Sequence, residues 1–278
     1  MPWEFWSLRR PQPAISRKES NQTGERAFEL GSTTQMDNAN QLLQAGKLND
    51  AIQVLNAEVR NHPEDSKRRI FLFELLCFAG EYDRAEKQLD ILGSDDMQKE
   101  MGALLYRSAL HAEKSRHELF TKKQYPKPVG SETATGGAVS GTLNGKPFQS
   151  IADADPRIGP RLEVFAGGNY LWMNFEHLAS LEMEKPRRLR DLLWTPARLR
   201  GGPALKDTEL GEILLPALTP FAWQDAEDAV RLGRVTEWVE SDSGAAVPVG
   251  QKMLLVDGEE FPLLEIRKLE INLPQSPS

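Results

Sequence analysis

A single cysteine, Cys77, stands among 278 residues, so the chain can form no internal disulfide and hold no cysteine-clustered metal. Histidine is nearly as scarce. His62, His111, His117 and His177 are the four, no two of them lie three or four positions apart, and each is expected at the surface or at a cap. No run of about 18 apolar residues occurs, so no membrane-spanning helix is expected, and Arg9-Arg10 lacks the apolar stretch that follows in a secretory signal. The cytoplasm is the expected address. A basic balance is missing too: net charge is -7 and pI near 5.3, which disfavours nucleic acid and anionic membrane as partners. The acidic excess lies in residues 126–278. There Lys185-Pro186-Arg187-Arg188-Leu189-Arg190 is a basic run, read as a solvated loop or, second, as a patch for an acidic partner. Neither a Gly-x-Ser-x-Gly nucleophile elbow nor a phosphate-cradling Gly-rich loop is present, and no cofactor is expected.

What the chain does have is an internal echo. Ala45-Gly46-Lys47-Leu48-Asn49-Asp50-Ala51 returns 34 positions later as Ala79-Gly80-Glu81-Tyr82-Asp83-Arg84-Ala85, and Leu55 returns as Leu89. That period belongs to tetratricopeptide-type helical hairpins, which stack into surfaces for other proteins' helices or peptides. The Ala-Gly pair closes each first helix, and the small Ala of each second helix allows close approach. From Asp37 the apolar spacing is helical, Asn61-His62-Pro63 stops the second helix and Asp65 caps the third. In that third helix Ile70, Phe71, Phe73, Leu75, Leu76 and Phe78 are apolar nearly all round, so it is either central to the stack or carries an exposed stripe. A fourth helix from Tyr82 and a long fifth one make about two and a half hairpins, fewer than the roughly three that bury a continuous core. The fifth helix is expected to act as a cap, or a second domain to close the end.

Residues 1–35 read as a disordered tail, 36–120 as the tetratricopeptide-like helical domain, and 121–141 as a Gly/Ser/Pro-rich linker. Over 142–273 the period changes to two, and 274–278 is a second tail. Asn144-Gly145 and Asp257-Gly258 are hairpin signals, and Glu163 to Phe175 reads as two strands turning at Gly167-Gly168-Asn169. The expectation is an α+β chain: helical hairpins followed by a mostly antiparallel β barrel or sandwich.

Asp153-Ala154-Asp155, ahead of Pro156-Arg157-Ile158-Gly159-Pro160, is the one cluster with the look of a site. Two carboxylates two apart could bind a divalent cation or work as acid and base, giving a metal hydrolase. The competing reading is structural: one aspartate caps a turn and Arg157 pairs with one of them. No matching acidic motif appears elsewhere, so no catalytic residue and no metal ligand are assigned. Trp172, Trp194, Trp223 and Trp238 sit at strand-like positions and read as core or rim.

Leu42-Leu43-Gln44-Ala45-Gly46, Arg69 through Gly80, Ile151 through Pro160, Leu192-Leu193-Trp194-Thr195-Pro196-Ala197, Arg234-Val235-Thr236-Glu237-Trp238 and Gly250-Gln251-Lys252 onward to Arg267 together resemble the ImpE family, also called TagJ or SciE-type, of type VI secretion accessory proteins. The resemblance covers about 36–120 and 142–271. It implies a non-enzymatic cytoplasmic adaptor whose ligand is an amphipathic N-terminal helix of the small sheath subunit, working near the AAA+ ATPase that recycles contracted sheath. On that reading the contact falls on Phe71, Phe73, Leu76 and Phe78 where they are not buried. Asp153, Asp155, Arg157, Gly159, Pro160, Trp194, Glu237 and Trp238 are then structural motif residues. A generic tetratricopeptide-type scaffold or chaperone for another client is the alternative.

Overall fold

Both Ala-Gly pairs end a helix in the same way. Helix α1 (residues 36–44) stops where Gly46 takes φ +74°, its N–H donating to Leu43 O and that of Lys47 to Leu42 O. Helix α3 (Ser66–Phe78) stops at Gly80, φ +72°, with Gly80 N–H on Cys77 O and Glu81 N–H on Leu76 O. This is the Schellman closure, whose left-handed residue favours glycine. Each turn leads into the second helix of a hairpin, α2 (Leu48–Asn61) and α4 (Tyr82–Leu92), and the repeated Ala51 and Ala85 are fully buried. Asp65 caps α3 as expected, accepting from the N–H groups of Lys67 and Arg68. The computed structural model describes residues 36–92, 97–129, 139–206, 208–241 and 244–273. The expected tails at 1–35 and 274–278 lie outside these residues, as does the middle of the expected linker.

Helix α5 (Met97–Lys122) leads to thirteen strands among the described residues. They are β1 (Gly141–Leu143), β2 (Lys146–Phe148), β3 (Ile151–Asp153), β4 (Arg161–Ala166), β5 (Asn169–Asn174), β6 (Leu178–Met183), β7 (Trp194–Gly201) and β8 (Glu209–Pro216). After the one-turn helix α6 (Asp228–Arg231) come β9 (Thr236–Glu240), β10 (Ala246–Gly250), β11 (Met253–Val256), β12 (Glu259–Pro262) and β13 (Lys268–Ile271). Asn144-Gly145 and Asp257-Gly258 carry paired positive φ angles in the tight turns β1–β2 and β11–β12. All named strand ladders are antiparallel.

The main sheet runs β2-β1-β13-β6-β7-β8-β4-β5 and is not closed into a barrel. The flank of β5 is taken instead by the chain leaving α5, where Val129 N–H donates to Trp172 O at 2.9 Å. β12-β11-β3 form a second sheet and β10-β9 a two-stranded ribbon. The sheet residues alternate between two cores. Phe165, Tyr170, Trp172, Trp194 and Leu214 face the helices and join the core of the repeats. Leu162, Val164, Met173, Leu199 and Leu215 face the other way and pack with Ile151 and Leu254 of the three-stranded sheet. The result is three layers, helix on sheet on sheet.

The β region also closes the repeat stack, through the segment around α6. Asp228 Oδ2 accepts the Leu48 N–H at 2.8 Å, supplying from 180 residues away the cap that Lys47 does not give α2. Arg234 donates to the carbonyls of Leu43 and Gln44 at the end of α1, and Trp223 lies against Gly80.

Candidate functional site

The four side chains expected to meet a partner do not share a surface. Phe73, Leu76 and Phe78 are buried, Phe73 with its ring 6.0 Å from Tyr106 and 6.4 Å from Trp194. The sheet covers the side of α3 that a free helical stack would expose. This corrects the expectation for those three. Phe71 alone is half-buried, on the face that α3 shares with α1. There, Met36, Leu43, Ile70, Phe71 and Leu189 line an open depression of about 340 Å³, with Asn40, Lys67 and Glu74 as its polar members.

Leu189 comes from the basic run, which is therefore not wholly a solvated loop. Arg190 places its guanidinium 4.7 Å over the Tyr106 ring and 3.7 Å from Glu74, while Arg187 stays exposed and pairs with Glu184 at 2.7 Å. Burial pushes the Glu74 carboxyl up to about 7, more than the distant Arg190 can offset.

Asp153 and Asp155 are brought together, but each already has a cation. Asp155 receives Arg157 through Nε and Nη2, at 2.8 and 2.6 Å, and also caps its own turn by accepting the Arg157 N–H. Gly159, φ +62°, returns its carbonyl to Asp153 N–H at 2.7 Å, and Pro160 O accepts the Phe175 N–H. Lys252 Nζ lies 2.6 Å from Asp153 Oδ2. Both aspartates of the motif are thus engaged by side-chain cations of this chain. No group of three or more metal-binding side chains occurs among the described residues.

Lys252 continues into a buried chain of charges that sequence reasoning missed. It pairs with Glu163 of β4, whose carboxylate takes Arg116 of α5 in a fork, Nε at 2.8 Å and Nη2 at 2.7 Å. Arg116 Nη1 reaches Glu113 at 3.0 Å, and Glu113 also accepts from Trp194 Nε1 at 2.9 Å and lies 3.1 Å from His117 Nε2. Three carboxylates thus face two permanent cations. Burial raises Asp153 to about 6, with the neighbouring Glu163 charge adding to it. For Glu163, burial acts upward too, but Arg116 and Lys252 outweigh it and hold the carboxyl well below its usual range. Glu113 is likewise held down to about 2, against burial, by Arg116 and His117. The available signal was charge within apolar stripes: Glu163 between Leu162 and Val164, and Arg116 on the buried side of α5 with Ala109, Ala112 and Phe120.

The histidines depart from expectation in part. His177 is buried, and His117 stacks on Phe221 at 5.1 Å beside Tyr82 and Trp223. Trp172 and Trp194 are core as read. Glu237 and Trp238, expected to be structural, are exposed on β9. A cavity of about 20 Å³ between the helices and the sheet, lined by Cys77, Glu113, His117 and Trp223, holds one water at most and no substrate. No helix among the described residues is long and apolar enough to cross a membrane.

Comparison with known proteins agrees with this architecture. The family model described as ImpE protein matches residues 145–270, and a tetratricopeptide repeat model matches residues 42–107. A Pseudomonas aeruginosa protein, the type VI secretion system accessory component TagJ, is 35% identical over 264 residues, covering 84% of this chain and 90% of that one. The crystal structure of a Vibrio parahaemolyticus protein superimposes with a TM-score of 0.72 over 86% of this chain and 98% of its own, at 21% identity, and shows the same fold. The helical repeats, the β region behind them and the extent of these matches lead to one conclusion: the chain belongs to the ImpE/TagJ family of type VI secretion accessory proteins.

Proposed function

We propose that this protein is a non-enzymatic cytoplasmic adaptor that holds an amphipathic N-terminal helix of the small contractile-sheath subunit and assists sheath assembly or its recycling by an AAA+ ATPase. The relative named a type VI accessory component supports the system. The observation that carries the binding mode is the depression at Phe71, an apolar hollow on the α1–α3 face bordered by Lys67. Helix-in-groove recognition needs such a floor for anchors at i, i+3 and i+4. The seat of the helix is Phe71 with Leu43, Ile70 and Leu189 around it. Lys67, exposed at its border, is the cation beside that seat.

The test is calorimetry of the full chain against the N-terminal helix of the small sheath subunit from the same genome. Saturable binding with a negative heat-capacity change is expected, and Phe71→Glu is expected to weaken it at least about tenfold in a variant whose circular dichroism shows that it is still folded. Unchanged binding by a folded Phe71→Glu variant moves the seat elsewhere. Absence of binding by the wild-type chain removes the sheath helix as client and leaves a scaffold for another partner.

A further inference from the structure

Trp238 carries an exposure that nothing in the core explains. It is 40% exposed, next to Val239 at 39% and Val235 at 46%. Trp238 and Val239 belong to β9 and Val235 directly precedes it; β9 pairs with β10 on one side and with no strand on the other among the described residues. Ser241 N–H donates to Ala245 O, so the alternation of the ladder directs the main-chain groups of Thr236, Trp238 and Glu240 away from β10. An exposed edge of this kind is a template for another strand.

The edge is held in place. Arg234, just before it, is anchored on the α1 carbonyls; Thr236 Oγ1 donates to Gln251 O at 2.8 Å; and Gly250, opposite Thr236, donates to Thr219 Oγ1 at 2.9 Å. Little ordering is left for a partner to induce.

Charge selects the occupant. Glu237 and Glu240 are exposed, the strand carries no basic residue, and neither glutamate has an ion-pair partner among the described residues. A second copy of β9 laid alongside would bring four carboxylates, two on each face of the ribbon, and no cation to answer them, so a symmetric dimer has no charge complementarity here. We propose that β9 is a docking edge for an extended strand of another protein that presents basic, apolar, apolar, basic in succession. The cations then lie opposite Glu237 and Glu240, and the apolar pair covers Trp238 and Val239. This is recognition by strand addition, on a surface separate from the helix seat at Phe71.

The probe is a fluorescein-labelled peptide Ser-Thr-Lys-Val-Ile-Lys-Thr-Ser, with a twin carrying Glu for each Lys, titrated against the full chain by fluorescence anisotropy. The basic peptide is expected to bind and the acidic twin to bind at least about tenfold more weakly. The double variant Glu237→Lys/Glu240→Lys reverses that order, a gain that misfolding cannot mimic. Glu240→Pro removes an outward N–H, leaves the ladder to β10 intact and abolishes binding. Phe71→Glu leaves peptide binding unchanged, which separates this proposal from the helix seat. Equal binding of both peptides, or none by the folded wild type below ~1 mM, overturns the proposal. Sedimentation showing a dimer that Glu240→Pro dissolves also overturns it, in favour of a second copy.

Discussion

The residues that matter most to stability are the charges between α5, β4 and the three-stranded sheet. Glu163 sits between Lys252 and Arg116, and removing its charge would leave two buried cations facing each other. Glu163→Gln is expected to cost about 3–5 kcal/mol in urea unfolding. Asp153→Asn is expected to change stability by less than about 1 kcal/mol at pH 7, because Asp153 is the carboxylate in excess of the cations. The two also differ in their pH signature. Asp153 is raised from 3.8 to about 6, so the folded state keeps a proton that the unfolded state has released, and its contribution falls as pH rises across that window. Glu113 is depressed from 4.5 to about 2, so its contribution is complete above 4.5 and is lost as pH falls toward 2. Asp153→Asn should therefore flatten the profile between pH 4 and 6 and leave the acid limb in place. A variant profile parallel to wild type throughout would show that Asp153 is not the group titrating there. The sequence supplied the pairing of Arg157 with an aspartate, because those partners are local. It could not supply Lys252 for Asp153, because the two meet only where β11 pairs with β3, about 100 residues apart along the chain.

At the scale of elements, the Ala-Gly turns were the most legible feature, since a repeated glycine after a helix fixes a left-handed closure by backbone sterics alone. The two turns are nevertheless not equivalent. A Cβ on Gly46 would lie 3.7 Å from the Arg234 guanidinium, whereas one on Gly80 would lie 2.3 Å from the Trp223 ring. Gly46→Ala should cost about 1 kcal/mol, the left-handed strain alone. Gly80→Ala should cost at least about 2 kcal/mol, because the indole of Trp223 must also give way. Equal losses in thermal unfolding would mean that Trp223 yields freely. The Asn-Gly and Asp-Gly hairpins were legible for the same local reason. Helix α3 was not. Its apolar residues run all round, and a periodicity without a polar face cannot say which side is covered.

On the scale of the whole molecule, the repeats and the β region share one core. Leu193, Trp194, Tyr170, Trp172 and Leu232 complete the cluster that Leu72, Phe73 and Leu76 begin, and Arg116 finds its anion on β4. Two and a half hairpins thus obtain the end closure that short repeat arrays lack. A fragment of residues 36–120 is accordingly expected not to unfold cooperatively, while the full chain loses helical circular dichroism and tryptophan fluorescence in one coincident transition. A fragment melting cooperatively within a few degrees of the full chain would contradict this. By itself the sequence determined the hairpin repeat, the turn positions and the antiparallel strands, which follow from spacing along the chain and backbone conformation at glycine, while the family was legible only through the resemblance of its motif segments. Only the tertiary structure decided that Phe73 is buried and Phe71 half-buried, that the sheet stays open with α5 and its exit covering one flank, and that Trp238 is left at an edge. Burial and ion pairing sum over contacts between distant segments, and a period of 3.6 or 2 specifies which residues share a face without specifying what that face meets.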